Sequence, residues 1–249
     1  SRIWKNETSY SKEELDKVRI PDFFPEDDGI KSDFLTNYKN IEKLDQQIGV
    51  IIAQLKADGL YDNTIIFFFS DHGGPFPHYK RSIYETGLRC PMVAKWNDDA
   101  WKGNTYQLVS FVDFAPTILD AANIKREFPF EGVSFFKKDQ RRYSYAATDR
   151  FDGGTDMRRS IQDRGFKLIY NGDTTSPVYK PVKYREQMKT MRVLDSLQEK
   201  QELTTYLSNW FSKNKDRFEL YEVSEDYCEA NDLMPYQKNE RIFKTLQQH

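Results

Sequence analysis

Asn63-Thr64-Ile65-Ile66-Phe67-Phe68-Phe69-Ser70-Asp71-His72-Gly73-Gly74 is the stretch that decides the fold. A short unbroken run of isoleucine and phenylalanine ends abruptly on serine, aspartate, histidine and glycine. Such a run predicts a strand over 64–69, buried on both faces of a parallel sheet. Upstream, Phe34, Tyr38, Ile41, Leu44, Ile48, Ile51, Ile52 and Leu55 recur mostly at intervals of three and four, so one stripe of a long helix ending near Gly59 precedes that strand. Helix followed by buried strand is the pattern of an α/β layer. In open α/β sheets ligand sites gather at the carboxyl ends of strands. Residues 70–90, interrupted by Gly73, Gly74, Pro75, Pro77 and Gly87, therefore form the candidate site loop.

On either side of this region the chain divides in two. Residues 1–31 are polar and irregular, with a short helix expected where Ser11 and Glu14 fit a capping box. A second strand is expected over 91–96 and a helix over 112–122. From Tyr143 short strand-like pieces (143–147, 159–162, 167–170, 220–223) surround a helical region in which Leu203, Tyr206, Leu207, Trp210 and Phe211 share a face. The expected division is an α/β domain over 1–139 and a smaller α+β subdomain over 140–249.

Composition excludes several classes. With 37 basic and 39 acidic residues mixed along 249, a net charge of -2 leaves no footprint for nucleic acid. The longest apolar run is far too short to span a bilayer. Two cysteines, Cys90 and Cys228, make neither a disulfide framework nor a zinc spacing. Hydrophobic residues at 38% and a mean hydropathy of -0.79 are a thin apolar supply for a large core. That fits a chain whose core-forming strands are partly supplied from elsewhere; an opening Ser1 rather than Met is expected not to be a native translation start, its cause left open.

Within the loop, Asp71 and His72 offer a carboxylate oxygen and an imidazole nitrogen side by side, and the glycines that follow permit a sharp turn, so both can reach a divalent cation. An isolated Asp-His-Gly is more often a turn cap beside a loop histidine. His78-Tyr79-Lys80-Arg81 sets a histidine and two cations in one short loop, suited to a tetrahedral anion. Four such residues by themselves are more often solvated surface charge.

Taken as a unit, the stretch says more. Residues 63–73, then Lys80, then Tyr84-Glu85-Thr86-Gly87-Leu88-Arg89-Cys90-Pro91, resemble the second signature region of the type I sulfatases of the alkaline-phosphatase superfamily: N-T-strand-S-D-[HN]-G, a lysine, then Y-[ED]-x-G-[IL]-R-x-P. Ser110, Asp113, Ala115, Pro116, Thr117, Ile118, Gly132 and Ser134 continue the match. Glu219-Leu220-Tyr221-Glu222-Val223, with Asp226, Glu229 and Leu233, matches the closing E-L-Y-D-L-x-x-D-P-x-E-x-x-N-L, with Tyr227 replacing proline and Asp232 replacing asparagine. The match runs from about residue 20 to the end.

The resemblance implies a partial alkaline-phosphatase-like α/β sandwich, a mixed sheet flanked by helices, with a smaller C-terminal α+β subdomain. It implies Asp71 and His72 as two ligands of calcium, or of magnesium in its place, the others coming from a double aspartate in the family's N-terminal half. Lys80 stands where the family's lysine contacts sulfate. His78 is placed to donate to sulfate or to the leaving-group oxygen, with a substrate-independent loop role equally open. Arg150, Asp156 and Arg159 are candidate pocket residues of the subdomain, weighed against surface or intradomain salt bridges. Tyr84, Glu85 and Arg89 read as braces of the loop. Pro75-Phe76-Pro77, Met157-Arg158-Arg159-Ser160-Ile161 and Phe166-Lys167-Leu168-Ile169-Tyr170 are similar to the branch containing heparan N-sulfatase, which implies a sulfated sugar or glycosaminoglycan as substrate.

One family element has no counterpart. The nucleophile is a formylglycine made from the first residue of C/S-x-[PA]-[SG]-R, and neither Cys90, Cys228 nor any serine begins such a motif. The resemblance therefore implies an N-terminal half that supplies formylglycine and the double aspartate, and a fragment inactive without it. In the whole enzyme the implied course is attack of the hydrated aldehyde on sulfur, departure of the alcohol or amine, and elimination of sulfate. Family habit places such enzymes in the periplasm, outside the cell or in the lysosome. Two other readings stand beside this one. A two-metal phosphohydrolase of the same superfamily would need more histidines than His72, His78 and the terminal His249. A non-catalytic glycan-binding or vestigial module would need no nucleophile.

Overall fold

The computed structural model describes residues 9–96, 103, 107–125, 127–136, 141–151, 154–235 and 239–249. The boundary expected at 139–140 lies outside the described residues. Two compact units share the chain: Ser1–Lys102 with Thr175–Lys215, and Gly103–Thr174 with Asp216–His249.

The first unit opens with helix α1 (Lys12–Asp16), and its capping box is the one expected. The Ser11 hydroxyl accepts from the Glu14 N–H at 3.3 Å, and the Glu14 carboxylate accepts from the Ser11 N–H at 3.0 Å. Helix α2 (Asp28–Ala57) is capped by Asp27, whose carboxylate accepts from the N–H of Gly29 at 2.7 Å. It stops two residues before Gly59, which is held at φ 69°. Only the first turns of α2 are buried: Ile30 and Phe34 are in the core, whereas Ile41 and Ile51 are 54% and 60% exposed. The helical period was legible, but the described residues bring nothing against most of its apolar stripe.

The strand expected over 64–69 is β1 (Ile66–Phe69). It pairs antiparallel with β2 (Met92–Lys95), Ile66 opposite Lys95 and Phe69 opposite Met92. Its residues run from half-buried to exposed, with Phe68 at 44%. Expectation and structure differ here because pairing direction and burial are set by neighbouring strands, and a two-stranded ladder covers neither face.

Helix α3 (Glu85–Leu88) interrupts the loop between β1 and β2. Helices α5 (Lys189–Glu199) and α6 (Thr205–Phe211) complete the unit, burying Met191, Leu194, Leu207 and Trp210. Asp33 of α2 caps α5 from outside, its Oδ2 accepting from the Thr190 N–H at 2.7 Å and hydroxyl at 2.8 Å. Phe34 stacks flat on Phe76 at 3.9 Å, which fixes the site loop against α2.

The second unit contains α4 (Phe114–Ala121) and the four-stranded antiparallel sheet β3 (Ser144–Phe151), β4 (Gly154–Gln162), β5 (Lys167–Asn171) and β6 (Phe218–Tyr221), in that spatial order. Each of the four strands overlaps one of the short strand-like pieces expected at 143–147, 159–162, 167–170 and 220–223. Helix α7 (Glu240–Gln247) was not expected; its Leu246 joins Ile161, Leu168 and Leu220 in the core. Lys167 and Glu229 form a fully buried ion pair at 2.8 Å, and Arg158 pairs with Glu219 at 3.0 Å. Such pairs exact a desolvation cost that only complete hydrogen bonding offsets.

Candidate functional site

The loop between β1 and β2 folds back on itself through its own backbone. The N–H of Ser70 donates to Pro91 O, that of Gly73 to Gly87 O at 2.9 Å, and that of Lys80 to Gly74 O at 3.0 Å. Neither Gly73 nor Gly74 has a positive φ, so the glycines do not make the expected sharp turn. Gly73 is required for another reason: a Cβ there would lie 1.8 Å from the carbonyl oxygen of Thr86. The left-handed positions fall instead on His78 (φ 67°) and Arg81 (φ 68°), on either side of Lys80.

Asp71 and His72 come together at the strand end. The Asp71 side chain is 82% exposed and its Oδ2 lies 3.3 Å from His72 Nε2. His72 Nδ1 sits 2.7 Å from the Gly73 carbonyl oxygen. A carbonyl only accepts, so Nδ1 carries the hydrogen and a neutral ring presents a lone pair at Nε2. That lone pair faces a carboxylate oxygen, an opposition that a cation between them, metal or proton, relieves. A histidine whose second nitrogen is anchored on a carbonyl is the usual form of a metal-ligating imidazole. The pair thus fits two positions of a divalent cation's shell. Among the described residues no group of three or more His, Cys, Asp or Glu side chains is gathered so as to hold a metal ion. Burial and the nearby Asp71 charge push the Cys90 thiol up, which keeps it un-ionised.

Lys80 is half-buried, and among the described residues no hydrogen bond or ion pair engages its ammonium. His78 is 5% exposed and enclosed by aromatic rings, stacked on Tyr84 at 4.4 Å with Phe23 and Trp210 beyond. The Thr86 hydroxyl donates to His78 O at 2.5 Å, His78 Nδ1 lies 3.3 Å from Thr86 Oγ1, and the Tyr206 hydroxyl lies 3.1 Å from each ring nitrogen. These contacts favour a brace of the loop over a donor to substrate. Arg150 and Arg159 belong to the second unit, in β3 and β4. Arg159 pairs with Asp149 at 2.8 Å on the surface, as the ordinary reading had it.

Sequence reading missed three participants, all in the first unit. Tyr206 reaches His78, Tyr184 accepts from Arg81 Nη1 at 3.2 Å, and Arg185 Nη2 donates to Lys80 O at 3.0 Å. The apolar face of α6 signalled a helix containing Tyr206, but nothing local marks a hydroxyl that serves a residue 128 positions away.

Comparisons with known proteins bear on the family and the fold. A family model described as Sulfatase matches residues 6–124, and one described as N-sulphoglucosamine sulphohydrolase, C-terminal, matches 74–210. An ulvan-active sulfatase of Formosa agariphila is 39% identical over 237 residues, covering 94% of this chain and 40% of that protein. Human N-sulphoglucosamine sulphohydrolase is 28% identical over 121 residues, covering 48% of this chain and 23% of its own length. The chain thus spans well under half of these relatives. A solved 2-O glycosaminoglycan sulfatase superposes with a TM-score of 0.64 at 15% identity, over 90% of this chain and 42% of that one. At that identity the likeness speaks for the fold, which is the α/β alkaline-phosphatase-like one expected.

Proposed function

The chain belongs to the sulfatase family, as a C-terminal part of its fold, and from that premise we propose that the protein carrying it removes sulfate from a sulfated glycan. The observation that carries this reading is one loop at a strand end holding a metal-competent Asp71–His72 pair and, eight residues after His72, an unengaged half-buried lysine. A sulfated-sugar substrate is supported by the relatives' names, an ulvan-active sulfatase and an N-sulphoglucosamine sulphohydrolase.

In this reading Asp71 Oδ2 and His72 Nε2 hold one side of a calcium ion, or of magnesium in its place. When bound, that ion supplies positive charge to the sulfate oxygens. The Lys80 ammonium donates to a sulfate oxygen and offsets charge that grows as the S–O or S–N bond lengthens. His78 acts from behind, fixing the loop through Thr86 and Tyr206. No C/S-x-[PA]-[SG]-R motif occurs in these 249 residues, so the formylglycine and the remaining metal ligands are assigned to the part of the family fold that this chain does not span. That part is the expected partner. The site is assigned outside the cytoplasm, on family habit; no helix of the described residues is long and apolar enough to cross a membrane.

The test is sulfate release from ulvan and from N- and O-sulfated glycosaminoglycan oligosaccharides by the full gene product, with and without chelator. Lys80→Ala is expected to lower kcat/KM by about 10²–10³-fold, and Asp71→Asn to weaken calcium binding. A gene product with mapped formylglycine that releases no sulfate, or a Lys80→Ala variant of full activity, defeats the proposal. Tight glycan binding by a product lacking the aldehyde would make it a binding module.

A further inference from the structure

We infer that Arg185, with Tyr184 beside it, positions the anion-binding loop, gripping Lys80 and Arg81 so that the Lys80 ammonium meets sulfate. The inference rests on the reading of Lys80 as the sulfate contact. His78 and Arg81 flank Lys80 in the left-handed region, at φ 67° and 68°, and neither is glycine. Such conformations persist only where the surroundings over-determine them, and they concentrate at functional sites. His78 is held by Thr86 and Tyr206. Arg81 is held by the tyrosine: its Nη1 donates to the Tyr184 hydroxyl at 3.2 Å and its guanidinium carbon lies 5.3 Å from the ring centre. Between them, Arg185 Nη2 donates to the Lys80 carbonyl at 3.0 Å. Arg185, the first residue of a 3-10 turn (Arg185–Gln187), and Tyr184 just before it thus grip two consecutive residues of the loop, across more than 100 positions of sequence.

Arg185 itself is only 4% exposed, its guanidinium carbon 5.7 Å from the centre of the Trp210 ring. Its Nε has no hydrogen-bond partner, and among the described residues no carboxylate pairs with it. Buried guanidinium groups are ordinarily matched by a carboxylate, because an unmatched buried charge is costly. This one instead sets its charge against the backbone of the residue that is to bind an anion, where it raises the local positive potential. Arg185 is therefore a positioning residue that acts through Lys80.

The test compares Arg185→Met, Arg185→Lys, Lys80→Ala and the double variant Arg185→Met/Lys80→Ala in the full gene product. The readouts are the inhibition constant of inorganic sulfate, KM and kcat separately, and the melting temperature. Arg185→Met is expected to raise the sulfate constant and KM about tenfold, Arg185→Lys to recover part of that, and the double variant to bind sulfate no worse than Lys80→Ala. Should Arg185→Met not fold, Arg185→Lys carries the comparison, with a smaller rise expected and the same non-additivity with Lys80→Ala. Wild-type sulfate binding in the Arg185 variants, or a loss that adds in full to that of Lys80→Ala, overturns the inference and leaves the Lys80 reading standing. Unchanged sulfate binding in Lys80→Ala overturns both.

Discussion

A methyl group on Gly73 would stand 1.8 Å from Thr86 O and 3.0 Å from Gly87 Cα, where backbone rather than a yielding side chain blocks it. Gly73→Ala is therefore expected to destabilise the protein by about 1–3 kcal/mol and to displace Asp71 and His72, which precede it directly. Urea unfolding checks the first effect and calcium titration the second; a variant with wild-type values in both would show that the close approach is dispensable. At this scale the sequence was legible where chemistry was contiguous. Asp71, His72 and Lys80 sit within ten residues, so their types and spacing could be weighed together. It was not legible where the partner is distant: Tyr184, Arg185 and Tyr206 meet the loop only through the fold. His78 shows a third case, since a histidine beside two cations looks like chemistry until Tyr84, Phe23 and Trp210 are found around it.

Elements whose causes are local were read correctly, and their energetics follow. The α1 capping box needed only Ser11 and Glu14. The Glu14 carboxyl is lowered from the usual 4.5 to about 2, first by the hydrogen bond from Lys39 and then by those from the Ser11 backbone and hydroxyl. Because its folded value lies below its unfolded one, its contribution is present in full above about pH 4.5 and is lost as pH falls through about 2. Glu14 lies at the surface, so the contribution is small. Carboxyl-resolved NMR titration should place its midpoint near 2; a midpoint in the ordinary glutamate range would show that the box and the Lys39 contact do not persist in solution. Elements whose causes are tertiary were misread. The β1 run has the composition of a buried parallel strand, yet a strand's direction is decided by the strand beside it, here β2. The start of α5 at Lys189 carries no local cap because Asp33, over 150 residues earlier, provides it.

For the whole molecule, the same misreadings point one way. Composition, with its thin apolar supply, and the structure, with α2 and the β1–β2 ladder presenting Ile41, Val50, Ile51, Phe68 and Val93 outward, describe a chain with more apolar face than the described residues cover. The chain spans 40% of the ulvan-active relative, and its reading as a sulfatase already assigns the nucleophile to the remainder of that fold. On the proposed reading one occupant would satisfy both needs: a nucleophile-bearing part of the same gene product, lying on these faces. The expectation is that the 249-residue chain alone binds an apolar-sensing dye and self-associates, and that Ile51→Glu or Val93→Glu reduces both effects. The nucleophile-bearing part, supplied in the same polypeptide or in trans, should suppress dye binding without any substitution. A chain that is monomeric by itself and leaves the dye dark would mean that these faces are settled solvent-facing surface, and the case for a covering partner would rest on the missing nucleophile alone.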